Sequence, residues 1–211
     1  IEPGDVCWED INGDNKINGL DREVVGNIFP KVTGGFSSTL SWKGISLYAR
    51  FDYALGHTLY NDLAARTLGQ YQGAFNIITE VKDMWSEDNP NSDLPAFYYA
   101  DQLAKKNITR SNNASASRHN NSSRLYEKAD YLALRELTLS WDLPKAWTSK
   151  AFIQNASVYV TGQNLFYVTG YTGTSPEPVL TNSDNNENLY GVDQGRYPTP
   201  RTVLFGLSVT F

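Results

Sequence analysis

The sequence predicts an all-β protein of about five long antiparallel strands, and three observations support this fold class. Hydrophobic and polar residues alternate over stretches of about 10–13 residues, which is the period of a strand with one apolar face. The connections between these stretches are either very short or very long and polar. Aromatic residues make up 13% of the 211 residues, and they concentrate at the strand ends.

Composition and charge exclude several classes of protein. A net charge of -5 argues against a nucleic-acid partner held by phosphate contacts. The single cysteine, Cys7, excludes an internal disulfide and any zinc site with several cysteines. The sequence contains no run of about 18 apolar residues, so it predicts no transmembrane helix. A transmembrane β-strand, however, needs only about 9–11 residues.

The first hairpin is predicted over residues 32–57, after a long polar connection at 1–31. In the stretch "ISLYARFDYALGH", every second residue from Ile45 to Leu55 is apolar or alanine. The preceding stretch "FSSTLSW" alternates in the same way, and Gly44 lies in the tight connection between the two.

A second hairpin is predicted over residues 124–168. Leu137 and Leu139 share one face of its first strand, but Leu134 has the opposite parity. We therefore expect a β-bulge near Arg135, which would return both halves to one face. "ASVYVTGQNLFYV" continues the hairpin after a short connection at 143–155.

The last strand is predicted over residues 200–211, where "RTVLFGLSVTF" alternates to its final phenylalanine. The long connections at 1–31, 58–123 and 169–199 then all fall at one end of the sheet, as extracellular loops do in outer-membrane barrels. A short helix is expected within 57–71, from the spacing of its leucines and alanines. A soluble β-sandwich with one solvated face remains the alternative, because alternation alone does not separate the two folds.

Five motifs resemble, in order, the C-terminal part of SusC-type TonB-dependent outer-membrane transporters of the Bacteroidetes. They are "PGDVCWEDINGDNKIN" (3–18), "GNIFPKVTGGFSSTLSWKGISLYARFDYALG" (26–56), "YLALRELTLSWDLP" (131–144), "TGQNLFYVTGYTGTSPE" (161–177) and "GVDQGRYPTPRTVLFGLSVTF" (191–211). Two positions depart from the family pattern: Ala133 replaces the usual Arg, and Ser175 replaces the usual Asp.

The resemblance implies a large transmembrane β-barrel of 22 strands with a plug, of which this chain forms a C-terminal segment. About five strands do not close a barrel, so the chain is interpreted as a fragment. The implied function is TonB-dependent import of oligosaccharides or peptides across the bacterial outer membrane, with the long loops facing the cell exterior. The implied partners are the remaining barrel and plug, the TonB complex through the missing N-terminal part, a SusD-type surface lipoprotein, the substrate and outer-membrane lipid.

The stretch "DINGDNKINGLD" has the spacing of an EF-hand calcium loop. Positions 1, 3, 5 and 12 of such a loop supply side chains, position 7 a carbonyl, and position 9 often a water-mediated contact. The predicted Ca²⁺ ligands are therefore Asp10, Asn12, Asp14, Lys16 through its carbonyl, Asn18 and Asp21. Asn15 stands at position 6 instead of glycine, where φ must be positive, and asparagine tolerates this better than other residues. A structural ion of low affinity is expected.

Aromatic residues in the long connections are candidates for contact with substrate or with the lipoprotein lid. They are Trp85, Tyr98, Tyr99, Tyr171, Tyr190 and Tyr197. Packing within the loops is the simpler interpretation for each. Carboxylate pairs such as Glu87 and Asp88 lie in long polar connections rather than in a site suited to acid and base catalysis, so no enzyme is predicted. The alternative function, from another class, is a soluble calcium-dependent carbohydrate-binding β-sandwich.

Overall fold

The computed structural model describes residues 2–5, 7–68, 76–97, 123–177 and 190–211, and the chain divides into two compact units. The sheet unit comprises Ile28–His57, Lys128–Pro178 and Arg196–Phe211. The loop unit comprises Ile1–Asn27, Thr58–Glu127 and Val179–Gly195.

Eight strands are formed by the described residues. They are β1 (Val32–Trp42), β2 (Ile45–Leu55), β3 (Thr58–Asn61), β4 (Tyr126–Lys128), β5 (Tyr131–Asp142), β6 (Asn155–Thr169), β7 (Val192–Asp193) and β8 (Thr202–Thr210). Five of them form one sheet in the order β1-β2-β5-β6-β8, and each neighbouring pair is antiparallel. The predicted five-stranded antiparallel sheet is therefore confirmed, with its long connections leaving from one end.

The predicted bulge lies at Arg135. Arg50 of β2 pairs with Glu136, and the next residue, Phe51, pairs with Leu134, so Arg135 has no partner in β2. The register of β5 with β6 shifts at the same point. The extra residue restores the parity of the strand, because it brings Leu134 to the face that carries the odd-numbered leucines.

The two faces of the sheet differ sharply in chemistry. One row of cross-strand partners is entirely apolar: Leu40, Leu47, Leu139, Val160 and Phe205. A parallel row on the opposite face is entirely polar: Ser37, Arg50, Glu136, Gln163 and Thr202. In the described part of the chain the apolar row is largely exposed, and Phe205 keeps 83% of its surface. The soluble sandwich expected as the alternative would bury this row beneath a second sheet.

The loop unit contains a small sheet in the order β4-β3-β7, in which β3 and β7 are parallel. Tyr60, Ala65, Leu125 and Val192 form its buried core. The helix expected within 57–71 is present as α1 (Asp62–Thr67), although Thr58–Asn61 before it is strand. Four 3₁₀ turns (Gly19–Asp21, Thr79–Asp83, Ser123–Leu125, Ser149–Ala151) and one short helix, α2 (Lys145–Thr148), complete the described elements. None of the helices in these ranges has the length and apolarity to cross a bilayer.

Candidate functional site

A charged cluster gathers around Arg135 on the polar face of the sheet. The guanidinium donates from Nε to Asp52 at 2.7 Å and from Nη1 to the Tyr167 hydroxyl at 2.8 Å. Its Nη2 forms an ion pair with Glu177, and the Tyr167 hydroxyl donates to the same carboxylate at 2.9 Å. Only 17% of the Arg135 side chain is exposed, so this is a shielded network rather than a surface ion pair.

The strand register explains why these side chains meet. Asp52 of β2 and Tyr167 of β6 are the two cross-strand partners of Ala133 in β5. Ala133 is fully buried and small, so the space above it is open to the longer side chain of Arg135 from the bulge beside it. The planar guanidinium offers five donors, which suits three acceptors that approach from different directions.

Glu177 reaches the cluster at the end of a segment that we call the strap (residues 170–177), which follows β6 directly. A second contact, besides the Arg135–Glu177 ion pair, holds the strap at its neighbouring residue Pro176. The ring Nε2 of the buried His57 lies 2.8 Å from the Pro176 carbonyl oxygen. A carbonyl accepts only, so Nε2 carries the proton and donates. Ser175 adds a local contact, because its hydroxyl accepts from the Glu177 backbone N–H. The strap is thus fixed to the sheet unit at two adjacent residues.

A second pair of charges extends the polar face toward β2. Arg50 lies 3.6 Å from Glu136, but 55% of its side chain is exposed. An open cavity of about 530 Å³ beside β1 is lined in part by Arg50, Asp52 and Arg135. The polar face therefore presents fixed charges of both signs, which can hold polar groups of a neighbouring domain or a polar solute.

The predicted calcium loop is an ordered turn in the loop unit. The Asp10 carboxylate accepts backbone N–H groups of Gly13 at 2.8 Å and Asn15 at 2.7 Å. The Asp21 carboxylate accepts those of Ile11 at 3.1 Å and Asn18 at 2.7 Å. The bond from Asn18 lowers the pKa of Asp21 below its ordinary value. The carboxylates at the first and last positions therefore close the loop on itself.

Asn15 adopts φ of 61°, as the sequence predicts for the sixth position of such a loop. The Asp14 carboxylate accepts from Lys16 N–H at 2.8 Å, and Asn18 caps the 3₁₀ turn through Leu20 N–H at 2.9 Å. Within the described residues, however, no three Asp, Glu, His or Cys side chains form a set that could hold a metal ion. Occupation by Ca²⁺ stays a prediction.

The described loop aromatics differ in burial and in their packing contacts. Tyr171 is buried, and its ring lies where a side chain on Gly173 would collide with it. The Trp85 ring lies in the same way against Gly4. Tyr190 and Tyr197 are exposed, whereas Tyr98 and Tyr99 lie outside the described residues. Tyr171 and Trp85 thus have packing roles, and Tyr197 has the most accessible ring.

The Arg135 cluster was not among the sites predicted from sequence. The only signal was indirect: a charged residue stood where the parity of apolar positions changed. Its partners Asp52 and Glu177 lie 83 and 42 residues away, and nothing in the local pattern connects them.

The sheet has an exposed apolar face, a charged opposite face and long connections at one end, and these features define a wall segment of a transmembrane β-barrel. Comparison with known proteins agrees. TonB-dependent receptors P3 and P26 of Formosa agariphila are each 30% identical to this chain, over 100% and 99% of it. The matches confirm the resemblance to SusC-type TonB-dependent transporters.

Solved structures give the same result. The RagAB peptide importer in its closed-closed state is 27% identical over 99% of this chain, with a TM-score of 0.66. The RagAB peptide transporter is 28% identical over 87% of it, with a TM-score of 0.63. No protein-family model matches the sequence. The chain spans about a fifth of the length of these relatives, since it covers 19% and 20% of the two receptors and 20% and 17% of the two structures.

Proposed function

We propose that the chain forms part of the wall and outer loops of a TonB-dependent importer in the bacterial outer membrane. The observation that carries the proposal is the division of one open sheet into an exposed apolar face and a charged face. In a barrel wall the apolar face would contact lipid, and the charged face would contact the plug or an aqueous lumen. The similarity to receptors along the whole chain supports the same function, and their names indicate receptors rather than enzymes.

The partners follow from this placement. The polar face would contact the plug and the rest of the barrel, and the edges of β1 and β8 would pair with further strands. A TonB complex would act on the remainder of the protein, and a SusD-type lipoprotein would cover the long loops. Both oligosaccharides and peptides suit such a transporter. We favour peptides, because the similar solved structures are described as peptide importers.

The strap contributes to this function by holding one loop segment against the inner wall. The double tie at Pro176 and Glu177 fixes the path of the chain where it leaves β6 for the long connection at 169–199. A wall whose outer rim is fixed in this way presents a constant shape to substrate and lid.

Orientation and transport are tested with the whole transporter in its own cells. Cysteines at Gly44, in the tight turn, and at Tyr197, in a long connection, are introduced one at a time after replacement of the exposed native Cys7 by serine, and each variant is reacted with a membrane-impermeant maleimide. We expect labelling at 197 in intact cells and at 44 only after lysis. Labelling of both sites in intact cells would contradict the placement. Uptake of labelled peptides and oligosaccharides by deletion and complemented strains then identifies the substrate class.

We also propose that residues 10–21 hold a structural Ca²⁺. The loop closure through Asp10 and Asp21 and the positive φ of Asn15 support this, and hard oxygen donors suit the ion. Affinity should be about 10⁻⁴–10⁻³ M, as in extracellular modules. Chelator should accelerate hydrogen exchange in residues 8–27 of the native protein. Asp10→Asn should abolish that response, whereas the exposed Glu23→Gln should retain it. A hydrogen-exchange rate in residues 8–27 that changes with neither calcium nor chelator would refute the proposal.

A further inference from the structure

The open cavity of about 530 Å³ beside β1, which we call the wall cavity, has a floor of small residues. Gly35 of β1 pairs with Asp52 of β2. Two residues along, Ser37 pairs with Arg50, so each charged side chain stands opposite a small one. All four residues line the cavity. Its volume lies in the range of about 300–1,000 Å³ that is usual for ligand sites.

Arg50 and Asp52 carry hydrogen-bonding groups that the sheet leaves available to a ligand. Among the described residues, the Arg50 guanidinium has only an ion pair with Glu136, and its 3.6 Å is too long for a hydrogen bond. The Asp52 carboxylate accepts from Arg135 through Oδ1, whereas Oδ2 accepts no hydrogen bond within the described ranges. The Arg50 and Asp52 side chains are 55% and 38% exposed. The wall cavity therefore offers N–H donors beside a carboxylate acceptor.

The spacing of these donor and acceptor groups matches the main chain of an extended peptide. Arg50 and Asp52 are two residues apart on one face of β2. A strand rises about 3.2–3.4 Å per residue, so their Cα atoms are about 6.4–6.8 Å apart. An extended peptide has the same two-residue repeat. One of its carbonyl oxygens can accept from Arg50 while a nearby amide N–H donates to Asp52.

The aromatic rings at the wall cavity favour a peptide over a sugar. Phe36 and Phe51 line the cavity, but they are cross-strand partners with the parity of the apolar face. Their rings stack on each other, with centroids 4.9 Å apart. The lining residues with the parity of the polar face are Gly35, Ser37, Arg50, Asp52 and Arg135, and none of these is aromatic. A sugar ring would therefore find no open aromatic face on the polar side to stack on.

We propose that the wall cavity binds the main chain of an extended peptide, with Arg50 as the donor and Asp52 as the acceptor. Because the site presents one charge of each sign, it matches the paired dipoles of a peptide main chain better than a single anion or cation. The site contacts the main chain and not the side chains, so peptides of unrelated sequence bind alike. This inference rests on the proposed import function and names the part of the wall that recognises the substrate.

The test measures the binding of fluorescent peptides, with blocked termini and uncharged side chains, to the purified whole transporter. Arg50→Gln and Asp52→Asn should each weaken binding several-fold, by a similar factor for peptides of unrelated sequence. Asparagine can keep its oxygen for Arg135, but it presents a donor to the cavity in place of the acceptor. The matched controls Lys43→Gln and Asp142→Asn remove the same charges near the tight turn, and they should leave binding unchanged. Equal losses in the controls would overturn the proposal.

Methylation of the peptide main chain tests the contact with Asp52 separately. Peptides with one N-methylated amide each are compared, and one position should cost several-fold in affinity for the unmodified protein. That loss should shrink in Asp52→Asn and persist in Arg50→Gln. Losses from the methyl group and from Asp52→Asn that combine independently would refute the assigned contact, because groups that do not interact behave in that way.

Protection of a thiol at position 37 identifies what occupies the wall cavity. Gly35 is left in place, because a Cβ there would lie 2.9 Å from the Phe51 carbonyl oxygen. In a Cys7→Ser background, Ser37→Cys should react with a small maleimide, and saturating peptide should slow that reaction several-fold. Ser208→Cys, on the same face in β8, should react equally with and without peptide. A thiol at 37 that is unreactive without peptide would overturn the proposal, because the plug would then cover the cavity.

Uptake separates failure of this site from failure of the proposed function. Peptide import that is unaffected by Arg50→Gln and Asp52→Asn, with no protection at position 37, would refute the wall cavity as a peptide site and leave the import function standing. Import of labelled oligosaccharides without import of peptides would overturn both the preference for peptides and the site.

Discussion

Replacement of Arg135 by methionine tests whether the charged cluster holds the strap. Methionine replaces the aliphatic part of the arginine side chain with one of similar volume but removes every donor. Asp52 and Glu177 then lose their shared cation, while Glu177 keeps one hydrogen bond from the Tyr167 hydroxyl. The strap is expected to open more often, with the sheet pairing of β5 left intact.

The size of the effect follows from burial. A hydrogen bond to a charged group contributes about 1.5–3 kcal/mol when shielded, and an exposed ion pair about 0.2–1 kcal/mol. Arg135 is shielded, but Glu177 is 28% exposed, so an intermediate value is appropriate. We take about 1–2 kcal/mol for the contribution of Arg135 to holding the strap closed. Because about 1.4 kcal/mol corresponds to a tenfold change in an equilibrium constant, the equilibrium constant for strap opening should rise about 5- to 30-fold.

Hydrogen exchange of the strap amides, measured in the whole transporter, gives this equilibrium directly. Arg50→Met is the matched control, because Arg50 lies on the same face in the adjacent strand but is mostly exposed; its effect should stay below about fivefold. Arg135→Lys should raise strap exchange less than Arg135→Met does, because an ammonium group keeps the positive charge but lacks the planar, multidentate geometry of the guanidinium. In a double-mutant cycle, Glu177→Gln should lower the free energy of strap opening clearly less in the Arg135→Met background than in the unmodified protein.

The role of Arg135 in holding the strap is refuted if strap exchange in Arg135→Met stays within about twofold of the unmodified protein. It is refuted equally if the two substitutions at 135 and 177 are additive to within about 0.5 kcal/mol, because independent sites behave in that way. An effect of Arg50→Met as large as that of Arg135→Met would assign the change to the net charge of the face.

Substitutions at three further positions probe other contacts. Asn15→Gly should raise calcium affinity several-fold and Asn15→Val should lower it, because a β-branched residue at φ of 61° costs about 1–2 kcal/mol; calcium titration measures both. Gly206→Val should displace the Tyr159 ring and lower the unfolding temperature of the barrel, whereas Gly206→Ser should do so less. His57→Ala should release Pro176, and strap exchange should rise without a change in β2.

The sequence was sufficient to predict the sheet but not the cluster. Alternation defined each long strand, and the change of parity after Leu134 located the bulge that the register confirms. The small sheet was missed because β7 has two residues and β3 has four, too few to show a period. Asn15 was predicted correctly because a positive φ is a local property of the chain.

The ties of the strap were beyond sequence reasoning for a physical reason. Pro176 lies 119 residues from His57, and the two meet only after β2 and β6 have taken their places in the sheet. Nothing in the local composition distinguishes Glu177 from the other acidic residues of the long connections. Side chains that are brought together by register are visible only once that register is known.

The bulge at Arg135 affects both faces of the sheet. Without an extra residue at 135, strict alternation would turn either Leu134 or Leu137 toward the polar face, and a lipid-facing stripe does not tolerate that error. The inserted residue leaves its backbone unpaired with β2, and its side chain points to the polar face, where Asp52 and Tyr167 already lie. An arginine at this position therefore satisfies the hydrophobic pattern on one side and supplies the cation that fixes the strap on the other. In the proposed barrel, the same local irregularity would serve both the contact of the wall with lipid and the shape of its outer rim.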